Sequence, residues 1–315
     1  MSFKLFKYSV NGDYTTVVKD YQGHLAPKKE TIQSVCKNAG TNSFAIISKN
    51  NKAKTHLSIK TYNKLGKETA FDTNALMNAI TCTYDYTDCI DRNKETKIET
   101  VNRELTCCIS SDKRAKVKYV SLFSGEPILN SRFLLKNSND QDGRDYIFEM
   151  IDKIKYVIVG FGDPKIQSQP DSQKEITALN GIIHAVAFVS HSINTLEIAK
   201  EISTNPIFPD KSTVNVDFIK LVKEQDPYTL EIVKSWIKDV GEDILSGSSA
   251  CASVIAATKI NPSYYQKNDE SVKQFTVLYN KEKVLIEPIM KEAFITDIII
   301  RGQVSEVPNK LEDYL

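Results

Sequence analysis

The chain has 315 residues, of which 41% are apolar and 26% charged, and its 41 Lys and Arg almost cancel its 40 Asp and Glu, leaving a formal charge of +1. Single hydrophobic cores stop growing near about 250 residues, so this length predicts two lobes. The lysines are scattered and interleaved with acids, which argues against a nucleic-acid binder, and no run approaches the ~18 apolar residues of a membrane span. The segment Met1 to Tyr8 lacks the apolar core of a leader peptide, so the expected location is the cytoplasm. The six cysteines, at positions 36, 82, 89, 107, 108 and 251, form no CxxC pair and have no histidines at metal-ligand spacing. They read as small hydrophobes in a reducing compartment, with no metal.

In chain order, Phe3 to Val10 and Thr15 to Lys19 are β-rich segments around a turn at Asn11-Gly12-Asp13, which predicts a hairpin. Ser43 to Ser48 and His56 to Tyr62 continue the strands, and Asn63-Lys64-Leu65-Gly66 reads as a turn. Thr73 to Cys82 is predicted helical, with Asp72 or Thr73 as cap and Leu76, Ala79 and Ile80 at helical spacing. Strands resume at Val117 to Phe123. The polar stretches Asn137 to Asp145 and Gly162 to Glu175 read as loops or insertions near a lobe boundary. Beyond them come a strand at Ala185 to Val189 and a helix at Asn194 to Ser203. Strands at Asn215 to Val222 and Thr229 to Ile237, a turn near Asp239 to Gly241 and a helix from about Ser248 complete the pattern.

An internal repeat runs through this order. Leu65-Gly66-Lys67-Glu68-Thr69-Ala70-Phe71 leads into Asp72-Thr73-Asn74-Ala75 and a helix. Val240-Gly241-Glu242-Asp243-Ile244-Leu245 leads into Ser246-Gly247-Ser248-Ser249-Ala250 and another. A helix start carries unpaired N–H groups and partial positive charge, so two such starts can hold one carboxylate between them. A proton-transfer group at each would then flank the neighbouring carbon, the geometry of a cofactor-free racemase. The plainer alternative is that Asp, Thr and Ser merely cap two helices.

The chain resembles the diaminopimelate epimerase family at a series of ordered points. Tyr62-Asn63-Lys64-Leu65-Gly66-Lys67-Glu68 is similar to "FNxDGSE", Asp72-Thr73-Asn74-Ala75 stands at "CGNG", and Ser124-Gly125-Glu126-Pro127 resembles "MGxP". Gly181-Ile182-Ile183-His184-Ala185-Val186 lies at "GNPHAV". Asn205-Pro206-Ile207-Phe208-Pro209 with Val214-Asn215-Val216-Asp217-Phe218 resembles "HPxFPxxxNVEF". Val240-Gly241-Glu242 and Ser246-Gly247-Ser248-Ser249-Ala250-Cys251-Ala252 look like "VGET" and "CGTGACA". The resemblance implies an α/β (α+β) fold of two pseudo-symmetric lobes, each a mixed sheet around a central helix, with a cleft site between them. The lobes expected are 1–135, completed by 300–315, and 136–299, with an insertion near 137–175. It also implies no metal, no cofactor and a homodimer.

The two catalytic cysteines of that family are replaced here by Asp72 and Ser246, which excludes a two-thiol mechanism. Gly12, Ile182 and the pair Ile237-Lys238 stand where the family holds the far end of diaminopimelate, so diaminopimelate is not the expected substrate. Two readings remain. One is a cofactor-independent isomerase of a small amino acid or other carboxylate, with Asp72 as acid/base and Ser246 as hydrogen-bonding or relay partner. Its binding groups are Asn63, Thr73, Asn74, Asn215, Lys238, Gly247 and Ser248; the phenazine-biosynthesis isomerases, which resemble this arrangement, use a carboxylate in place of thiols. The other is a catalytically inactive homologue that acts as a binding or regulatory subunit beside an active paralogue. His24, His56 and His191 read as packing or surface residues, His184 and Cys107-Cys108 as structural, and Trp236 as lining a cleft or core.

Overall fold

Parallel neighbouring strands require a crossover of a dozen or more residues between them, and each of the four helices among the described residues is such a crossover. The structure, a computed structural model, describes residues 3–49, 57–69, 71–129, 134–135, 147–149, 155–168, 175–189, 195–209, 213–222, 228–237, 241–242, 246–260, 274–279, 282–291 and 294–308. The chain forms two compact units, Met1–Ser124 with Ile299–Leu315, and Gly125–Ile298. Both are mixed α/β.

In the first unit, β1 (Leu5–Val10) and β2 (Asp13–Lys19) form a hairpin, and α1 (Lys29–Ala39) carries the chain to the parallel β3 (Ser43–Lys49). β3 pairs antiparallel with β4 (Leu57–Asn63), and α2 (Thr73–Tyr86) crosses to the parallel β5 (Thr96–Glu99). β6 (Glu104–Ile109), β7 (Val117–Phe123) and the last strand, β16 (Phe294–Glu306), follow, and β16 pairs with both β7 and β1. The eight strands therefore close into a barrel, which leaves no open edge. α2 is its core: every residue from Thr73 to Tyr84 is buried, as expected of a helix that is not amphipathic.

The second unit repeats the order. β9 (Lys155–Ser168) and β10 (Glu175–Phe188) form a hairpin, with the short β8 (Ile147–Glu149) beside β9. α3 (Thr195–Ser203) crosses to the parallel β11 (Thr213–Leu221), which pairs antiparallel with β12 (Thr229–Ile237). The two-residue β13 (Gly241–Glu242) pairs with β12, and α4 (Gly247–Ile260) crosses to the parallel β14 (Phe275–Tyr279). β15 (Glu282–Lys291) and the start of β16 end the series. Gly247 to Thr258 of α4 are all buried, the counterpart of α2.

Several elements differ from the sequence expectations. α1 was not anticipated, although its buried Ile32, Val35, Cys36 and Ala39 recur at helical spacing and Gly40, at φ 59°, closes it. The stretch from Gly162 to Glu175, expected as loop, is strand up to Ser168 and again from Glu175. The register Gly181↔Gly162 through Glu175↔Ser168 explains this, because cross-strand backbone pairing tolerates polar side chains that carry no strand signature of their own. α2 continues past Cys82 to Tyr86. Asn137 to Asp145 lies outside the described residues.

No helix among the described residues is long and apolar enough to cross a membrane. Cys36, Cys82, Cys107 and Cys251 are buried, and Cys89 and Cys108 are half-buried. Trp236 packs against the apolar cluster between α3 and the sheet, so its ring belongs to the core.

Candidate functional site

Asp72 and Ser246 hold the same place in the two repeats, and they make the same bonds. Asp72 is the N-cap of α2: its Oδ1 accepts from the Ala75 N–H at 3.0 Å and its carbonyl accepts from the Leu76 N–H at 2.9 Å. Ser246 does this for α4, its Oγ accepting from the Ser249 N–H at 3.0 Å and its carbonyl from the Ala250 N–H at 3.1 Å. Each side chain satisfies one of the unpaired N–H groups of a first turn, and each lies at the positive end of a buried helix. Asp72 and Ser246 are both half-buried, whereas the residues after them are not.

The polar groups around α2 are anchored inward. Asn74, the second residue of α2, donates from Nδ2 to Asp13 Oδ2 at 3.0 Å, and Asn42 donates to Asp13 Oδ1 at 3.0 Å. Burial pushes the Asp13 carboxyl above the usual carboxylate range, opposed by these amides and by the charge of Lys64. One turn further along, Asn78 donates to Thr15 Oγ1 at 2.9 Å, which shares a hydrogen with Ser43. Thr73 is fully buried, and its Oγ1 makes no hydrogen bond among the described residues.

Asn63 organises the turn before α2. Its Oδ1 accepts from the Leu65 and Lys67 N–H groups, both at 3.0 Å, and its carbonyl accepts from the Gly66 N–H. Gly66 sits at φ +74°, and a Cβ there would lie 2.7 Å from the Lys29 carbonyl oxygen. The turn thus requires glycine.

The second unit holds a buried polar chain that sequence reasoning did not assemble. Strand alternation turns His184, Asn215, Asp217 and Ser235 to one face of the sheet, because His184 pairs with Asn215 and Asp217 pairs with Ser235. Ser235 Oγ donates to Asp217 Oδ1 at 2.6 Å, and His184 Nδ1 lies 2.7 Å from Asp217 Oδ2. Ser235 Oγ and Ser249 Oγ are 3.4 Å apart, and Ser246 Oγ donates to Ser249 Oγ at 2.8 Å. Ser248 Oγ stands 3.1 Å from Ser246 Oγ. His184, Asp217, Ser235 and Ser249 are all at most 1% exposed. The available signal was the placing of Asn215 and Asp217 two apart in the otherwise apolar run Val214 to Phe218.

His184 is therefore only half satisfied. Its Nδ1 is paired with Asp217, its ring meets Phe161 edge-on at 5.9 Å, and its Nε2 makes no hydrogen bond among the described residues. Asn215 Oδ1 is likewise buried without a hydrogen-bond partner among the described residues. Gly247 is buried at the first turn of α4, and Lys238 lies outside the described residues.

No protein-family model matches the chain. It is 32% identical over 139 residues to a diaminopimelate epimerase of Clostridium perfringens, covering 38% of this chain and 48% of that one. It is 24% identical over 186 residues to the diaminopimelate epimerase of Leptospira biflexa, covering 57% and 58%. The matches thus span about half the length of these curated relatives.

Among solved structures, a phenazine biosynthesis protein of the PhzF family from Bacillus anthracis superposes with a TM-score of 0.61 at 12% identity, covering 98% of each chain. A probable proline racemase from Agrobacterium radiobacter gives 0.61 at 10% identity, covering 99% of this chain and 94% of that one. A hydroxyproline epimerase from Agrobacterium vitis, solved with trans-4-hydroxy-L-proline, gives 0.58 at 11% identity, covering 98% and 91%. These likenesses establish the diaminopimelate epimerase-like fold, and the sequence matches to diaminopimelate epimerases agree with it; where the resemblance places that family's two thiols, this chain carries Asp72 and Ser246.

Proposed function

We propose that this divergent relative of the diaminopimelate epimerases is a cofactor-independent isomerase that moves a proton on a small amino acid or other carboxylate. Asp72 is its acid/base and Ser246 its hydrogen-bonding or proton-relay partner. The observation that carries the reading is the equivalence of the two caps: each repeat sets one oxygen-bearing side chain at the start of a buried helix, bonded to the third N–H beyond it. Anionic ligands are stabilised at such starts by the helix dipole and the remaining N–H groups.

The resemblance to a proline racemase and a hydroxyproline epimerase supports this reaction class. In this reading Asn63, Thr73, Asn74, Asn215, Lys238, Gly247 and Ser248 form the binding set. Thr73 Oγ1 and Asn215 Oδ1, buried and without a hydrogen bond among the described residues, support it, because a buried polar atom without a bond costs about 1–3 kcal/mol unless a ligand satisfies it. Ile182 and Ile237 offer no partner to a second amino-acid head group, so diaminopimelate is not the proposed substrate. The proposed protein works in the cytoplasm as a homodimer or beside a paralogous subunit.

A binding or regulatory role is the second reading, and one observation favours it. Asp72 Oδ1 and Ser246 Oγ are both engaged as caps, which is all that an idle helix start needs. Incubation with a panel of small carboxylates and amino acids in deuterated water, followed by NMR, separates the two. Deuterium entering one carbon of one compound, and lost in Asp72→Asn, is the isomerase outcome. No incorporation together with ligand-induced thermal stabilisation is the outcome for a binding protein.

A further inference from the structure

We propose that Ser246 is the outer end of a proton relay that runs through Ser249 and Ser235 to Asp217, with His184 holding that carboxylate in place. The inference rests on the reading of Ser246 as a proton-transfer group and supplies what a bare serine lacks, a base to receive its proton.

Counting hydrogens fixes the direction of the chain. Each serine hydroxyl has one proton to give. Ser235 gives its own to Asp217 Oδ1, so across the 3.4 Å link Ser249 must donate to Ser235, and Ser246 donates to Ser249. Ser248 can then meet Ser246 only as a donor. All three hydroxyls of the chain thus point their hydrogens toward Asp217. Asp217 also meets His184 Nδ1 at its Oδ2, so both carboxylate oxygens are held, and His184 Nε2 makes no hydrogen bond among the described residues.

The step is balanced. When Ser248 turns its hydroxyl from Ser246 to the substrate and a proton passes from a substrate carbon to the lone pair so freed on Ser246 Oγ, the Ser246 proton moves to Ser249, that of Ser249 to Ser235, and that of Ser235 to Asp217. The carbon gains the negative charge that Asp217 loses, and reversal of the chain returns a proton to the carbon. Only Ser246, half-buried at the start of α4, meets the substrate; Ser249, Ser235, Asp217 and His184 are positioning and relay residues sealed from water, where hydrogen bonds are electrostatically strong.

Phenylmethanesulfonyl fluoride tests the relay without a known substrate. In the labelling step Ser246 Oγ bonds to sulfur, fluoride leaves, and the hydroxyl proton passes to Asp217. The full-length protein is labelled between about pH 5 and 9, and the Ser246 adduct is followed by peptide mass spectrometry. The expected result is labelling at least about tenfold faster than in the urea-unfolded chain, falling about tenfold or more in Ser249→Ala, Ser235→Ala and Asp217→Asn. Asp217→Glu restores part of the rate, and Ser253→Ala, which removes another buried hydroxyl of α4, leaves it unchanged.

A proton inventory on the wild type, read in mixtures of light and heavy water, needs no folded variant. A curved inventory is expected of several protons in flight. A linear inventory, or labelling no faster than in the unfolded chain, overturns the relay. Relay-dependent labelling with no exchange into any carboxylate keeps the relay and sinks the isomerase reading, so the two failures are distinguishable.

Discussion

Ser235 donates to Asp217 at 2.6 Å, directly across the pair of strands that carries both, and neither residue touches solvent. Removing the hydroxyl leaves a buried carboxylate oxygen short of a donor. Ser235→Ala is therefore expected to lose about 1–3 kcal/mol of stability, read as a lower midpoint in urea unfolding. An unchanged midpoint means that this bond contributes nothing net.

The cap and the proposed chemistry of Asp72 can be separated by two substitutions. Asn is as good a cap as Asp, so Asp72→Asn is expected to keep the melting temperature within a few degrees while abolishing deuterium exchange. Asp72→Ala loses the cap as well, at about 0.5–2 kcal/mol. Full exchange activity in Asp72→Asn removes Asp72 from the acid/base role.

Asp13 links stability to pH. Its folded-state carboxyl is raised by burial, so the folded protein holds that proton more tightly than the unfolded chain does. The resulting stabilisation is fully present below the unfolded value of about 3.9 and is lost as pH rises through the higher folded-state value. Asp13→Asn is expected to remove this decline, measured as the difference in unfolding free energy between variant and wild type across the acidic range. Parallel curves for the two proteins refute it.

Burial also silences the thiols. It pushes Cys82 and Cys107 up to about 12, so near pH 8 only on the order of one in ten thousand of either is thiolate. Iodoacetamide is expected to modify Cys89 and Cys108, which are half-buried, in the native protein, and all six only after unfolding. Mass spectrometry of the native digest decides this, and native labelling of Cys107 contradicts the burial described for it.

Gly66→Ala tests the turn that leads into α2. With φ at +74° and the new Cβ 2.7 Å from the Lys29 backbone oxygen, the substitution is expected to cost about 1–3 kcal/mol, visible in a thermal melt. A melt identical to wild type shows that the turn relaxes.

The sequence by itself determined the repeat and the helix starts, because these depend on local spacing: glycine at a turn, a capping side chain, then apolar residues at helical intervals. Asp72 and Ser246 were found in this way, as was the turn built on Asn63. The closed barrel around α2 was not legible, since it depends on β16, the last strand, pairing with β1, the first. Nor was the inward use of Asn74, whose amide is committed to Asp13 across 61 positions of sequence. The chain from His184 to Ser246 draws on β10, β11, β12 and α4, and only the register of those strands decides that its members meet. Local spacing sets which face a residue takes; the pairing of distant strands sets what shares that face, and in this protein that is where a serine acquires a carboxylate.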